Sequence, residues 1–158
     1  MIDAAARRLQ VAEPVAAAKW HSAAAVADPD RVRQELDALA VEATSAQIDS
    51  EYVRQVFGDQ IDATEAIEYS RFAQWKLDPV AVPAVAPALS ESRSAIDDLN
   101  HVMLTQVALQ WELLHSPDCG GRLDSARTAV AQSRRLDALY RQALSVASRS
   151  YCRPPSSQ

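Results

Sequence analysis

The sequence predicts an all-α fold, on three observations. Glycine is scarce, with 3 in 158 residues, while the strong helix formers alanine, leucine, glutamate, arginine and glutamine are plentiful. Apolar residues recur three or four apart through most of the chain, the spacing of a buried helical stripe. No stretch alternates apolar and polar residues for long enough to be a strand. A chain of 158 residues suits one domain with a core of useful size, and nothing marks an internal boundary. The expected organisation is a single domain over 1–158, with a folded part from 2 to 152 and a frayed tail, "RPPSSQ", from 153 to 158.

Residues 2–25 are alanine-rich with helical periodicity, and Pro14 predicts a kink or break within them. "DPDRVRQELDALAVEA" starts the second helix, with Asp28 as N-cap and Pro29 at the first helical position; Val32, Leu36 and Leu39 form its apolar row. Asp49 caps a third, long helix running to about Leu77. Pro79, Pro83 and Pro87 make the next stretch an extended connector, and apolar residues fill the gaps between them. Ser90 is expected to cap a helix through about His115, "SPDCGG" to turn, and a last helix to run from about Leu123 to Tyr151. The sum is three long helices and two shorter segments.

Composition narrows function mainly by exclusion. A formal net charge of −5 argues against a general nucleic-acid or anionic-membrane surface. No apolar run approaches the roughly 20 residues needed to span a bilayer. The start, "MIDAAARRLQ", lacks the apolar core of a signal peptide and fits a trimmed mature form carrying an added Met1. The two cysteines, Cys119 and Cys152, are either two buried thiols or a bridge closing a loop of a little over 30 residues. A bridge would contribute roughly 3–4 kcal/mol in the chain-entropy model and would imply an oxidising compartment. Neither lies in a CxxC, so zinc and thioredoxin chemistry have no support.

Several polar residues stand where a helix would rather be apolar. In the third helix Gln60, Thr64, Glu68 and Phe72 fall on one row with Trp75 beside it, so a carboxylate shares its strip with large aromatics. Arg8 and Lys19 are eleven residues apart, almost three full turns, and point the same way with Ala12 and Val15 between them. Arg31 and Glu35 are one turn apart. Arg93 sits in the first turn of its helix, where a cation opposes the helix dipole. Each has a plain alternative. Arg8 and Lys19 could be solvated, Arg31 and Glu35 a weak surface pair, and Glu68 a partner of Arg71 or Arg93. His21, His101 and His115 fit no metal spacing and read as surface residues, and no nucleophile, zinc-protease, P-loop or dinucleotide fingerprint is present. Spacing alone supports a helical protein with a cationic pocket.

The stretches "RLQVAEPVAAAKW", "RVRQEL", "ATEAIEYSRFAQWKL", "SRSAIDDLN" and "SYC" go further. Taken in order, from about Ile2 to Cys152, the chain resembles the exported, all-helical chorismate mutases. The resemblance implies the conversion of chorismate to prephenate by a Claisen rearrangement, with no cofactor, no metal and no covalent intermediate. Such an enzyme holds a compact chair-like conformer and stabilises negative charge growing on the ether oxygen. By this resemblance Arg8, Arg31 and Arg93 supply guanidinium donors, chiefly to the substrate carboxylates. Lys19 reaches the ether oxygen and a nearby carboxylate, Glu35 accepts from the ring hydroxyl, and Thr64 lines the pocket. Some exported relatives have glutamine where Glu35 stands, while other helical mutases have glutamate. Glu68 faces the ether oxygen opposite Lys19 and acts protonated, as a donor; burial raises its pKa and the cations lower it. The resemblance also implies a Cys119–Cys152 disulfide, a secreted or periplasmic location, and a homodimer with each pocket inside one subunit. No nucleic-acid or membrane partner is implied.

Three competing readings remain at this level. An isochorismate pyruvate lyase needs a similar cationic pocket, and the match to the exported subclass argues against it. A non-enzymatic secreted binding protein would share the amphipathic helices and the disulfide, but has no reason to gather Arg8, Lys19, Arg31, Glu35, Thr64, Glu68 and Arg93. A catalytically dead relative is disfavoured because every expected site residue is present.

Overall fold

The computed structural model describes residues 1–153, and these contain helices and no strand. The elements are α1 (Ile2–Gln10), α2 (Ala12–His21), α3 (Pro29–Ser45), α4 (Ser50–Leu77), α5 (Leu89–Leu109), α6 (Trp111–Leu114), α7 (Cys119–Ser133) and α8 (Ala138–Ala147), with a 3-10 turn at Pro79–Ala81. The 28-residue α4 is the axis, packed along α8, α3 and α2. Val53, Val56, Phe57 and Ile67 of α4 join Leu9, Met103, Val107 and Leu144 in the main core. A smaller cluster, Ala16, Ala17 and Trp75, is flanked by Trp20 and Phe72 and covered by Val82 and Ala86 of the connector.

The helix starts at Asp28 and Asp49 are as expected. Asp28 Oδ1 accepts from the Arg31 amide at 3.1 Å, and Asp49 Oδ1 from the Glu51 amide at 2.9 Å. Other boundaries differ, each for a local reason. The first break falls at Val11, not at Pro14. A proline cannot donate to the carbonyl four residues back and crowds it, so the chain bends upstream of the ring. Val11 keeps helical angles, φ −74 and ψ −16, so Arg8, Ala12 and Val15 stay together on the buried side. α5 starts one residue after Ala88, which is extended just behind Pro87, and Ser90 lies inside the first turn without a capping bond. α5 stops at Leu109, because Trp111 and Leu114 turn onto the core, with Trp111 edge-on to Tyr52 at 5.3 Å. His115, expected at the surface, is half-buried and stacks on Trp111 at 4.2 Å. α7 begins at Cys119, inside the expected turn, where the disulfide fixes its first residue.

The expected last helix is in fact α7 and α8. Arg135 between them has φ 51. The Leu136 amide donates to the Ala131 carbonyl at 2.9 Å and the Arg135 amide to Gln132 at 3.1 Å, which is a Schellman end. Asp137 then caps α8 through the Tyr140 amide. Ala23 (φ 55) and Gln47 (φ 58) end α2 and α3 in the same way. All three positions favour glycine, and none has it. Arg135 is exposed, so Arg135→Gly should relieve strain while losing no packing. The gain, offset partly by unfolded-state entropy, is up to about 1 kcal/mol, or a Tm rise of about 2–4 °C by calorimetry. A lowered Tm would show that the strain at Arg135 is worth less than its contacts and the added unfolded-state entropy together.

Cys119 and Cys152 are bridged, with Cα atoms 5.7 Å apart and a sequence separation of 33. The Tyr52 hydroxyl donates to the Tyr151 carbonyl at 2.7 Å, and the Arg153 amide donates to the Leu114 carbonyl at 2.8 Å. Arg153, the first residue of the expected tail, also lies over the Tyr52 ring, 5.0 Å from its centroid. Residues 154–158 of that tail lie outside the described residues.

Candidate active site

A pocket of about 640 Å³, counting its open mouth, lies between α1, α2, α3, α4 and α5. All seven residues singled out in the sequence line it: Arg8, Lys19, Arg31, Glu35, Thr64, Glu68 and Arg93. Val15, Val26, Val32, Ile61, Leu89 and Ile96 supply apolar wall. The solvated alternative for Arg8 is excluded, since Arg8 is 2% exposed.

Arg8 is held at each of its nitrogens. Nε donates to Asn100 Oδ1 at 2.7 Å, Nη1 to Thr64 Oγ1 at 3.2 Å and Nη2 to Glu35 Oε1 at 2.6 Å. Three of five guanidinium hydrogens are thereby used, and one remains on each terminal nitrogen, enough for a two-bond grip on a carboxylate. Thr64 Oγ1 in turn donates to the Gln60 carbonyl at 2.8 Å, and the Gln60 amide side chain donates to the Ala5 carbonyl at 3.0 Å. Gln60 thus ties α4 to α1 one turn before Arg8.

Lys19 donates to the Val26 carbonyl at 2.6 Å and to Glu68 Oε2 at 2.8 Å, leaving one ammonium hydrogen for a ligand. Glu68, 3% exposed, therefore pairs with Lys19 and not with Arg71, which binds Glu13. Nor are Arg31 and Glu35 a surface pair. Arg31 lies 3.6 Å from Asp97 and Glu35 belongs to Arg8. Arg93 is exposed and makes no salt bridge among the described residues. Arg93 and Arg31 face the mouth as the less committed cations.

Burial is the largest influence on Glu68 and raises its pKa above the ordinary carboxylate value. The Lys19 hydrogen bond and charge pull it down, Glu65 pushes it up and Arg8 lowers it slightly; the net direction is upward. Glu65, half-buried on the same wall, is raised too, chiefly by burial. Arg8, Lys19, Arg31 and Arg93 face Asp28, Glu35, Glu65 and Glu68, so the fully ionised pocket is balanced and one proton on Glu68 makes it cationic.

Sequence reasoning missed Asn100 and Glu65. Asn100 lies seven residues, two turns, after Arg93 on the same face of α5, and Glu65 lies three before Glu68. Either spacing was a usable signal. Among the described residues no three His, Cys, Asp or Glu side chains are grouped to hold a metal.

The profile of the family "Chorismate mutase type II" matches residues 1–69. The chain is 54% identical to the "Secreted chorismate mutase" of Mycolicibacterium smegmatis over 97% of this chain and 84% of that protein. It is 52% identical to the "Secreted chorismate mutase" of Mycobacterium tuberculosis over 99% of this chain and 79% of that one. Among solved structures, the chorismate mutase from Burkholderia phymatum superposes with a TM-score of 0.90 at 27% identity, covering 96% of this chain and 93% of that one. The one from Burkholderia thailandensis gives 0.87 at 29% identity, covering 96% of each.

Proposed function

Because the chain belongs to the chorismate mutases, we propose that this pocket rearranges chorismate to prephenate by holding the reactive conformer and stabilising charge on the ether oxygen. The protein is a secreted chorismate mutase, as its named relatives are. In the reaction the ether C–O bond breaks as a new C–C bond forms within one molecule, with no net proton transfer. Positioning and electrostatics are what a protein can add to such a step.

The observation that carries the assignment of roles is the Lys19–Glu68 pair, buried in an arginine-lined pocket. Lys19 gives its remaining hydrogen to the ether oxygen, and its charge lies beside the adjacent carboxylate. Glu68, once its carboxyl is protonated, donates to the same oxygen from the other side. Arg8 grips one carboxylate with its two remaining hydrogens, and Arg31 and Arg93 close on the dianion from the mouth. Glu35 keeps an oxygen for the ring hydroxyl, because Arg8 and Asn100 both use Oε1. Thr64 lines the pocket and also fixes Arg8, accepting from its Nη1. The dianion brings negative charge to Lys19 and Glu68 and favours the protonated carboxyl, so binding itself selects the donor form.

All seven residues come from one chain, which supports a pocket complete in each subunit of a homodimer. Sedimentation at several concentrations tests the dimer. Loss of chorismate absorbance, with prephenate confirmed by its acid conversion to phenylpyruvate, tests the activity. Isochorismate is assayed in parallel for pyruvate release. Prephenate formation without pyruvate is the expected result, and pyruvate release alone would reassign the pocket to a lyase.

A further inference from the structure

Asn100 is 3% exposed on α5, and its side-chain amide has both ends committed inside the protein. Oδ1 accepts from Arg8 Nε at 2.7 Å, and Nδ2 donates to Glu35 Oε1 at 2.8 Å. Glu35 Oε1 also accepts from Arg8 Nη2 at 2.6 Å. These three bonds close a ring through three helices: α1 (Arg8), α3 (Glu35) and α5 (Asn100). The neighbours on both sides fix the amide's orientation, oxygen to the guanidinium and nitrogen to the carboxylate. An uncharged side chain at this place satisfies one edge of Arg8 without adding a second negative charge beside Glu35. It leaves one hydrogen on each terminal nitrogen of Arg8, and Oε2 of Glu35, for a ligand.

We infer that Asn100 is a positioning residue for the mutase reaction, setting Arg8 and Glu35 against the substrate through this ring. The inference rests on the mutase reading of the pocket. Its sharpest consequence concerns protons. Asn100→Asp keeps size and shape but places a carboxylate oxygen against Glu35 Oε1. The pair then needs one shared proton, whose O–H replaces the lost amide donor. The charged groups around it are Arg8 from α1, Lys19 from α2, Asp28 at the start of α3, Arg31 and Glu35 from α3, Glu65 and Glu68 from α4, and Arg93 and Asp97 from α5. The next residue, His101, turns outward to Glu42. Of these, Arg8 touches the ring and opposes proton uptake, and Glu35 favours it.

The test measures kcat/KM for chorismate against pH in the parent, in Asn100→Asp, and in Asn100→Asp combined with Glu68→Gln, the last to remove the fall due to Glu68. Asn100→Asp should be parent-like at the acid end. With rising pH it should lose activity by one proton more than the parent, about tenfold per pH unit beyond the new pKa. The same limb should stand alone in the double variant. Asn100→Leu, which can neither accept nor donate, should instead raise KM and lower kcat/KM by about 10²-fold with no new limb. It also serves if Asn100→Asp does not fold. A pH profile of unchanged shape in a folded Asn100→Asp, or a parent-like KM in Asn100→Leu, would overturn the positioning role while leaving the mutase reading intact. A folded parent with no chorismate turnover would overturn both.

Discussion

Lys19→Ala should lower kcat for chorismate by about 10²–10³-fold, the cost of losing one preorganised donor to a developing oxyanion. That is roughly 3–4 kcal/mol of transition-state stabilisation. The effect is large because Lys19 is tethered before the substrate arrives. The Val26 carbonyl and Glu68 fix its ammonium group, so the remaining hydrogen is aimed at no reorganisation cost. Lys19→Arg should not rescue, since a planar fork cannot reproduce a point charge bound at those two oxygens. Tm checks that the variant remains folded. Activity within tenfold of the parent in folded Lys19→Ala would remove Lys19 from the chemistry.

The second large effect is a pH dependence. The Glu68 carboxyl is raised above its ordinary value by burial. In the role proposed for Glu68 the protonated form is the donor, so turnover efficiency should be full below the Glu68 pKa and fall as pH rises through it. In kcat/KM the fall reports the free enzyme, where Lys19 opposes protonation. In kcat it reports the bound state, where two substrate carboxylates favour protonation, so the kcat fall should lie at higher pH. Glu68→Gln should flatten both falls, because an amide donates at any pH while its oxygen can still accept from Lys19. A stopped assay across pH in parent and variant measures this. An unchanged fall in Glu68→Gln would assign it to another group.

How far the sequence carried the fold depended on which end of a helix was in question. Starts were legible where a short acidic side chain caps them, as at Asp28 and Asp49. Ends mostly were not: that of α4 at Leu77 could be read from Pro79 just beyond it, but the residues that turn the chain out of α2, α3 and α7 are Ala23, Gln47 and Arg135, none of which signals a left-handed conformation. The merging of α7 and α8 into one expected helix follows directly. In the site, helical spacing alone set Arg8 with Lys19, Arg31 with Glu35, and Thr64 with Glu68 on shared faces, and the resemblance supplied their roles and brought them into one pocket. The pairings were beyond reach. Glu68 meets Lys19 across 49 residues and Arg8 meets Glu35 across 27, distances at which local periodicity says nothing. Asn100 lies two turns after Arg93 on one face of α5, a signal the sequence did carry, but its bonds to Arg8 and Glu35 reach across 92 and 65 residues and no local pattern shows them.

The end of the described chain has a consequence for survival among proteases. Cys152 is bonded to Cys119 of α7, the neighbouring Tyr151 carbonyl is held by Tyr52 of α4, and the Arg153 amide is bound to Leu114. A carboxypeptidase draws its substrate's last residues out as a free strand, and residues 151–153 are held against the core while the bridge is intact. One that reaches Arg153 should stall on the oxidised protein and proceed after reduction, a difference that mass spectrometry of the digested chain reads directly. For a protein released into its surroundings, the bridge then acts as a stop against trimming that would otherwise unravel α8 and, with it, the support beneath α4.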